Sequence, residues 1–403
     1  LTPRIEPHTA IIVKRSLLAL IVCPRCREPF TMDVFREDDT ARDSEREVLE
    51  GALRCTACAA AFPIVAGIPR LLTSTLLAQV RARHPHFFAA HPQFLAGDEG
   101  GDHPLAETLA SFTRQRLDLD VPGPELAAQW RTNLQRNLGD ALTLEDLRGR
   151  RILDVGCGFG RHMRVASDHG ADVVGVDLSG GVEIAHRNTA GRPNCHVVQA
   201  NIYERPFRDA TFDVVWSFGV LHHMPDPAAG FRTLIDFAHP DGGLIAIWVY
   251  GYRGMSFTYR LSHMRALHAV TRSLSGTARL RASQAVAGAL SAFYWEPLRA
   301  LRTIGLGGLV DRLPLKDYVA HGWRARVAGV HDRLSTPITH FHDRDELLDW
   351  FRGARLTNVR VEDTDRRGWR ASGRRAPRLE ASVRPRTLTN GFAHHDEDRV
   401  VIH

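Results

Sequence analysis

The chain has 403 residues, 44% of them hydrophobic and 24% charged, an ordinary globular mixture that suits one large domain with a smaller one. No apolar stretch approaches the roughly 20 residues needed to cross a bilayer, and six cysteines are too few and too unevenly placed for a disulfide scaffold. The formal net charge of +6 admits an acidic partner without requiring one: only Lys14 and Lys316 are lysines, and so lopsided a use of arginine points to a GC-rich genome.

In chain order, the first residue is Leu rather than Met, so the natural start is expected to be missing or processed. The apolar run 16–22 follows Lys14 and Arg15 but is too short for a secretory signal, and it leads into a Cys-x-x-Cys pair; it reads as folded structure. Cys23-x-x-Cys26 and Cys55-x-x-Cys58 stand 28 residues apart. Two such knuckles offer the four thiolates that zinc prefers, and four thiolates close its shell, so a structural Zn²⁺ is expected in a ribbon over residues 15–75. The polar stretch 37–50 between the knuckles reads as an exposed hairpin or loop. A metal site of free thiols places the chain in a reducing cytoplasm.

Residues 76–150 lack strand signals and predict a helical linker or lid, with helix-like stretches at 106–117 and 125–138 about the breaker Val121-Pro122-Gly123-Pro124. From 151 to 251, β-rich runs at 151–155, 172–176, 195–199, 212–217 and 243–249 alternate with helical segments. That alternation predicts an α/β fold: a Rossmann-like, mostly parallel sheet of about seven strands with helices on both faces. Residues 252–342 read as a helical insertion, with stripes Phe257, Leu261, Met264, Leu267 and Leu298, Leu301, Ile304. A helix at 343–352 and a strand at 357–362 then close the domain near 365, and the Arg-rich stretch 366–403 reads as a disordered tail.

The strongest chemical signal is the run Ile152-Leu153-Asp154-Val155-Gly156-Cys157-Gly158-Phe159-Gly160, an apolar strand ending at an acidic residue and a glycine at every second loop position. Glycines are needed where the backbone turns sharply and a ligand lies against it. A dinucleotide loop spaces them G-x-G-x-x-G to hold a pyrophosphate, which Asp154 would repel. A ligand with an ammonium and a sulfonium suits that carboxylate, so S-adenosylmethionine is expected rather than NAD. Asp177 ends the next strand, 21 positions after Gly156. Alone it could cap a helix; with the glycine loop at this spacing it reads as the acceptor for two ribose hydroxyls.

The stretches LDVGCGFGRH, VVGVDLS, QANIYERPF, FDVVWSFGVLHHMPDP and HPDGGLIAIWV resemble the class I methyltransferases that include the ubiquinone and menaquinone enzymes. The resemblance implies a methyl-donor site of Asp154, Gly156, Cys157, Gly158, Gly160, Asp177 and Leu178, with Asn201 standing where the family has an Asp for the adenine amino group. It also implies Ile202 on the adenine face and Phe218 near the methionine end. His222 and His223 follow the fourth strand, at the edge where ligands bind, and are candidates for a general base or for shaping the pocket. His340 and His342 read as loop histidines that could reach the same rim. The stretches LLALIVCPRC and LRCTACAAAFPIVAGIPRLL resemble the small zinc-binding activators of RNA and protein methyltransferases, implying a ribbon that braces the domain, docks a partner or binds substrate.

Absences narrow the acceptor. No Asp/Asn-Pro-Pro-aromatic motif follows the fourth strand, Cys157 and Cys195 are poorly placed to attack a pyrimidine, and no acidic cluster suggests a catechol-type magnesium site. The expected acceptor is a small molecule covered by the 252–342 insertion. RNA methylation through the ribbon and a non-catalytic, cofactor-binding adaptor are the rival readings.

Overall fold

A computed structural model describes residues 15–37, 48–72, 74–95, 105–118, 127–251, 274–313, 315–336, 338–364 and 368–376. The ribbon contributes strands β1 (Phe30–Glu37), β2 (Val48–Cys55), β3 (Ala61–Val65) and β4 (Ile68–Leu71), followed by helices α1 (Ser74–Arg83), α2 (Pro85–Ala90), α3 (Ala106–Asp118) and α4 (Ala127–Leu138). The alternating region gives β5 (Arg151–Val155), α5 (Arg161–Asp168), β6 (Asp172–Asp177), α6 (Gly181–Asn188), β7 (Cys195–Ala200), β8 (Val214–Phe218), α7 (Pro227–Phe237) and β9 (Leu244–Tyr250). The insertion holds α8 (Gly276–Leu290), a π-helical turn (Ser291–Trp295), α9 (Glu296–Thr303), α10 (Gly307–Val310) and α11 (Trp323–Ser335). Helix α12 (Arg344–Gly353) and strands β10 (Leu356–Asp363) and β11 (Gly368–Arg375) complete the fold.

These strands form one sheet in the order β1-β2-β3-β4-β7-β6-β5-β8-β9-β11-β10. Strands β4 to β9 of that order run parallel, and β11 enters antiparallel between β9 and β10. Strand order reverses at β5, which lies between β6 and β8, so the crevice for a ligand opens at the carboxyl ends of these strands. Residues alternate between the two faces, as the two-residue period of a strand requires: Leu153, Val155, Val174 and Val176 enter one apolar core, Ile152 and Val173 the other. The first core also takes Leu17, Ile21, Phe30, Leu53 and Phe62 of the ribbon, packed with Phe207, Phe212 and Phe237. The sheet therefore runs through the ribbon, and the seven strands β7-β6-β5-β8-β9-β11-β10 are its methyltransferase-like part.

Helix starts follow local chemistry. Asp226 caps α7 by accepting from the Ala229 N–H, with Pro227 as first helical residue, and Asp343 caps α12 through Glu346 N–H.

One expectation needs correction. Residues 368–375 are a strand and not part of a disordered tail: Trp369 and Ala371 are buried, while Arg374 and Arg375 donate to the carbonyls of Gly242, Ile235 and Ala238. Those arginines donate to carbonyls at and just beyond the end of α7, where helical partners run out, and so give an Arg-rich segment a place in the fold. Residues 377–403 lie outside the described residues. The described part of the insertion packs about a core of its own, with Ala287, Trp295, Leu298, Val310 and Val327, and none of its described residues lines the central cavity; residues 252–273 lie outside the described residues. In its second stripe Leu298 is buried but Ile304 is 70% exposed; Phe257, Leu261, Met264 and Leu267 lie outside the described residues.

Candidate methyl-donor and acceptor site

The loop after β5 is a cradle of left-handed glycines, Gly156 (φ +75°), Gly158 (φ +55°) and Gly160 (φ +79°). A Cβ on Gly156 would collide with the Val220 side chain, and one on Gly160 would stand 3.0 Å from the Ala185 Cα. Gly156 thus keeps the floor of the cavity open, whereas Gly160 lets α5 approach α6 and does not line the cavity. Gly156 and Cys157 donate to the Val176 carbonyl at 2.7 and 3.1 Å, tying the loop to β6.

Asp177, at the tip of β6, accepts from Gly158 N–H at 2.9 Å and Ser179 N–H at 2.7 Å, which aims its carboxylate into the cavity with lone pairs to spare. Asp154, in β5 just ahead of the loop, is 2% exposed and does not itself line the cavity; its nearest hydrogen-bonding group is the Trp216 indole, and no donor meets its Oδ2 in good geometry. Burial pushes its carboxyl up to about 7, while Trp216 and Arg161 favour the anion and Asp177 opposes it. A buried carboxylate oxygen without a donor is costly alone and fits an ammonium group brought in by a ligand.

Leu178, Asn201, Ile202 and Phe218 line the same cavity with Cys157. The Asn201 Oδ1 already accepts from Tyr203 N–H at 3.2 Å and its Nδ2 donates to Glu204, so this side chain caps the following turn as well as lining the cavity. Phe218 stacks on Trp216, with centroids 5.7 Å apart, and meets His162 edge-on.

The two candidate histidines part company. His223 lines the cavity; its Nδ1–H donates to the Ile338 carbonyl at 2.9 Å, which places the lone pair of the neutral ring on Nε2. His222 turns into the fold and stacks on Tyr250 at 3.9 Å, and its Nδ1 accepts from Tyr250 N–H. It does not line the cavity. Nor do His340 and His342: His340 N–H donates to the His222 carbonyl, and His342 pairs with Glu346 at 3.0 Å while its carbonyl accepts from Trp369.

Part of the lining comes from the segment read as a linker or lid. Leu105, Leu109 and Phe112, one stripe along α3 and the residue before it, line the cavity together with Phe159, Val220, Met224 and Pro225, and Arg161, His162 and Tyr203 add to its polar lining. Burial holds His162 well below its ordinary pKa, Arg161 adding to the effect, and its Nε2 lies 2.9 Å from Asn133 Oδ1. The i, i+4, i+7 spacing of Leu105, Leu109 and Phe112 was visible in the sequence, but not what it would face.

The four ribbon sulfurs lie within 4.8 Å of one another. Cys26 and Cys55 Sγ are 3.3 Å apart and Cys23 and Cys58 Sγ 3.7 Å, contacts between free thiols rather than bonds. Cys55 Sγ receives the N–H groups of Ala57 and Cys58, and burial pushes the Cys23 thiol up to about 12, a shift that a bound dication would reverse. The donor set fits a tetrahedral S₄ metal.

Comparison with known proteins agrees with this geometry. The family described as methyltransferase domain matches residues 153–246, and the family described as Trm112p-like protein matches residues 14–67. Tocopherol O-methyltransferase of Arabidopsis thaliana is 36% identical over 28% of the chain and 33% of its own length. A tRNA U34 carboxymethyltransferase of Methylococcus capsulatus is 36% identical over 39% and 51%, and a ubiquinone biosynthesis O-methyltransferase of Paracidovorax citrulli is 36% identical over 27% and 44%. The chain thus spans a third to a half of the length of these relatives. Residues 153–246 are a class I S-adenosylmethionine-dependent methyltransferase domain, joined on its N-terminal side to a Trm112-like module that carries a four-cysteine cluster.

Proposed function

We propose that the chain methylates a small, largely apolar acceptor held between the glycine loop and α3. The observation that carries the reading is the cavity floored by left-handed Gly156 and Gly158 and lined by the Asp177 carboxylate, with buried Asp154 in the strand just ahead. Asp154 would take the donor's ammonium, Asp177 its ribose hydroxyls, and Asn201 and Ile202 its adenine, with Phe218 beside the methionine end. Bound there, the sulfonium supplies an already activated methyl carbon. What remains for the protein is alignment and exclusion of water, worth about 7–11 kcal/mol when well arranged. The acceptor atom bonds to that carbon as the carbon–sulfur bond breaks toward sulfur, and His223 Nε2 takes a proton where the nucleophile carries one.

The wall of Leu105, Leu109, Phe112, Phe159 and Met224 supports an apolar acceptor over a polyanion. Two relatives are named for the lipophilic compounds tocopherol and ubiquinone, the third for a tRNA uridine. The four thiols are read as holding a structural zinc ion, in keeping with a reducing cytoplasm. Among the described residues no helix is long and apolar enough to cross a membrane.

The test is incubation of metabolite and RNA fractions with a donor labelled on its methyl group, followed by mass spectrometry. Label in a small molecule is expected. Label confined to RNA would replace the acceptor assignment, and absence of S-adenosylhomocysteine from every fraction would make the protein a cofactor-binding adaptor.

A further inference from the structure

Arg70, in the last strand of the ribbon, is 0% exposed. Its strand pairs with β7 in parallel, placing Arg70 opposite Gln199. Arg70 Nη1 donates to Gln199 Oε1 at 2.6 Å, Nη2 reaches the Val65 carbonyl and Glu183 at 3.4 and 3.5 Å, and Nε has no partner. Burial lowers its pKa to about 10, so the group remains charged at neutral pH. Arg70 is one partner of a buried ion pair with Glu183, an arrangement that as a whole stabilises no better than apolar side chains of similar volume.

What the guanidinium does is orient Gln199. With Oε1 accepting from Arg70, the amide Nε2 must face the other way, and it donates to the Leu178 carbonyl at 2.8 Å. Leu178 lines the donor cavity directly after Asp177. The same turn is held at two further points from outside the methyltransferase domain. Gly180 N–H donates to Thr113 Oγ1 of α3 at 2.8 Å, and Glu183 in the first turn of α6 receives Arg83 at 3.0 Å and His84 at 3.1 Å.

We propose that Arg70 is a positioning residue of the donor pocket, through which the ribbon sets the Asp177–Leu178 turn by way of Gln199. The proposal rests on the donor reading given above. It gives the Trm112-like module a task beyond bracing: its last strand supplies the donor that fixes a pocket-lining backbone segment. A cofactor whose ribose and adenine depend on that turn then binds according to how well the ribbon is seated.

The test uses the full chain and S-adenosylhomocysteine as probe, by titration calorimetry, with thermal unfolding measured alongside. Arg70→Met and Gln199→Met should each weaken binding about tenfold, the scale of one lost hydrogen bond, at a temperature where thermal unfolding shows both variants folded. The double variant should bind no worse than the weaker single variant, because both break the same relay. Arg70→Lys, which keeps a cationic donor, should recover part of the loss. Amides of 178–181 should exchange hydrogen faster in Arg70→Met. Binding within twofold of wild type in both single variants, or losses that multiply in the double variant, would overturn the relay. Should Arg70→Met not fold, Gln199→Met decides alone. Failure of the wild-type protein to take up the probe would remove the donor reading and the relay together; uptake by wild type with unaffected variants removes the relay only.

Discussion

Two additions flank the methyltransferase sheet, and they are attached in different ways. The ribbon shares both the sheet and one apolar core with it, so that Phe207 packs edge-on to Phe212 and Phe237 within the cluster that includes Leu17 and Phe62. The helical insertion keeps a core around Trp295, cross-braced by Arg326, whose guanidinium lies 5.3 Å from that ring. Among the described residues, the segment returning from it meets the site at His223, through the Ile338 carbonyl and Thr339 Oγ1. An addition that shares a core cannot loosen without the whole, whereas one with a private core can shift as a unit. The ribbon is therefore suited to fixing the donor side, and the insertion to adjusting the acceptor side.

The largest expected effect would break this contrast if it failed. Phe207→Ala should cost about 3–5 kcal/mol and lower a single unfolding transition for ribbon and sheet alike. Trp295→Ala should cost a similar amount but confine it to a separate, earlier transition, leaving donor affinity unchanged. Scanning calorimetry with donor titrations decides between them; a split transition in Phe207→Ala would sink the shared core. Next, His223→Gln should lower kcat by about 10²-fold with donor affinity intact, as a residue of the acceptor side must. Loss of donor binding instead would place His223 on the other side.

The smallest effect concerns Asp154. If the donor's ammonium pairs with this carboxylate, as proposed, then with the free protein's carboxyl at about 7 binding below that pH must expel a proton. Donor affinity should fall by up to about tenfold per pH unit below pH 7 and stay level above it. Asp154→Asn should bind about 10–100-fold more weakly and without this pH dependence. Because the folded pKa is raised above the unfolded value of 3.8, the carboxyl's contribution to unliganded stability is lost between about pH 4 and 7. The Asn variant should accordingly melt higher than wild type at pH 8. A pH-independent wild-type affinity would refute the pairing.

Much of the donor half was legible because its residues are neighbours in sequence. A strand, three glycines and a carboxylate within a few positions constrain one another, and Gly156, Gly158 and Asp177 line one cavity while Asp154 is buried in the strand just ahead of it. The acceptor half draws on residues far apart, Leu109, His162, His223 and Ile338, and no local pattern announces such a meeting. His222 and His223 look alike as letters; a 3₁₀ turn over Leu221–His223 sends one ring to Tyr250 and the other to the cavity. Strand β11 was hidden by arginines that serve carbonyls of a helix distant in sequence. Arg70 was hidden by the opposite habit, a charge where the strand pattern is wholly buried.

Strand β7 is buried along its entire length, Cys195–Ala200. Its outer flank is where β4 lies, and the true borders of the sheet fall instead on β1 and β10. Those borders carry Asp33, Arg36 and Glu37 on one and Arg360 and Glu362 on the other, each with a register irregularity that spoils them as templates. Fusion to the ribbon thus moves the exposed rim of the molecule from greasy to charged ground. A version trimmed of the ribbon would present β7 to its own copies and self-associate, and because the cap is tethered, dilution cannot strip it away.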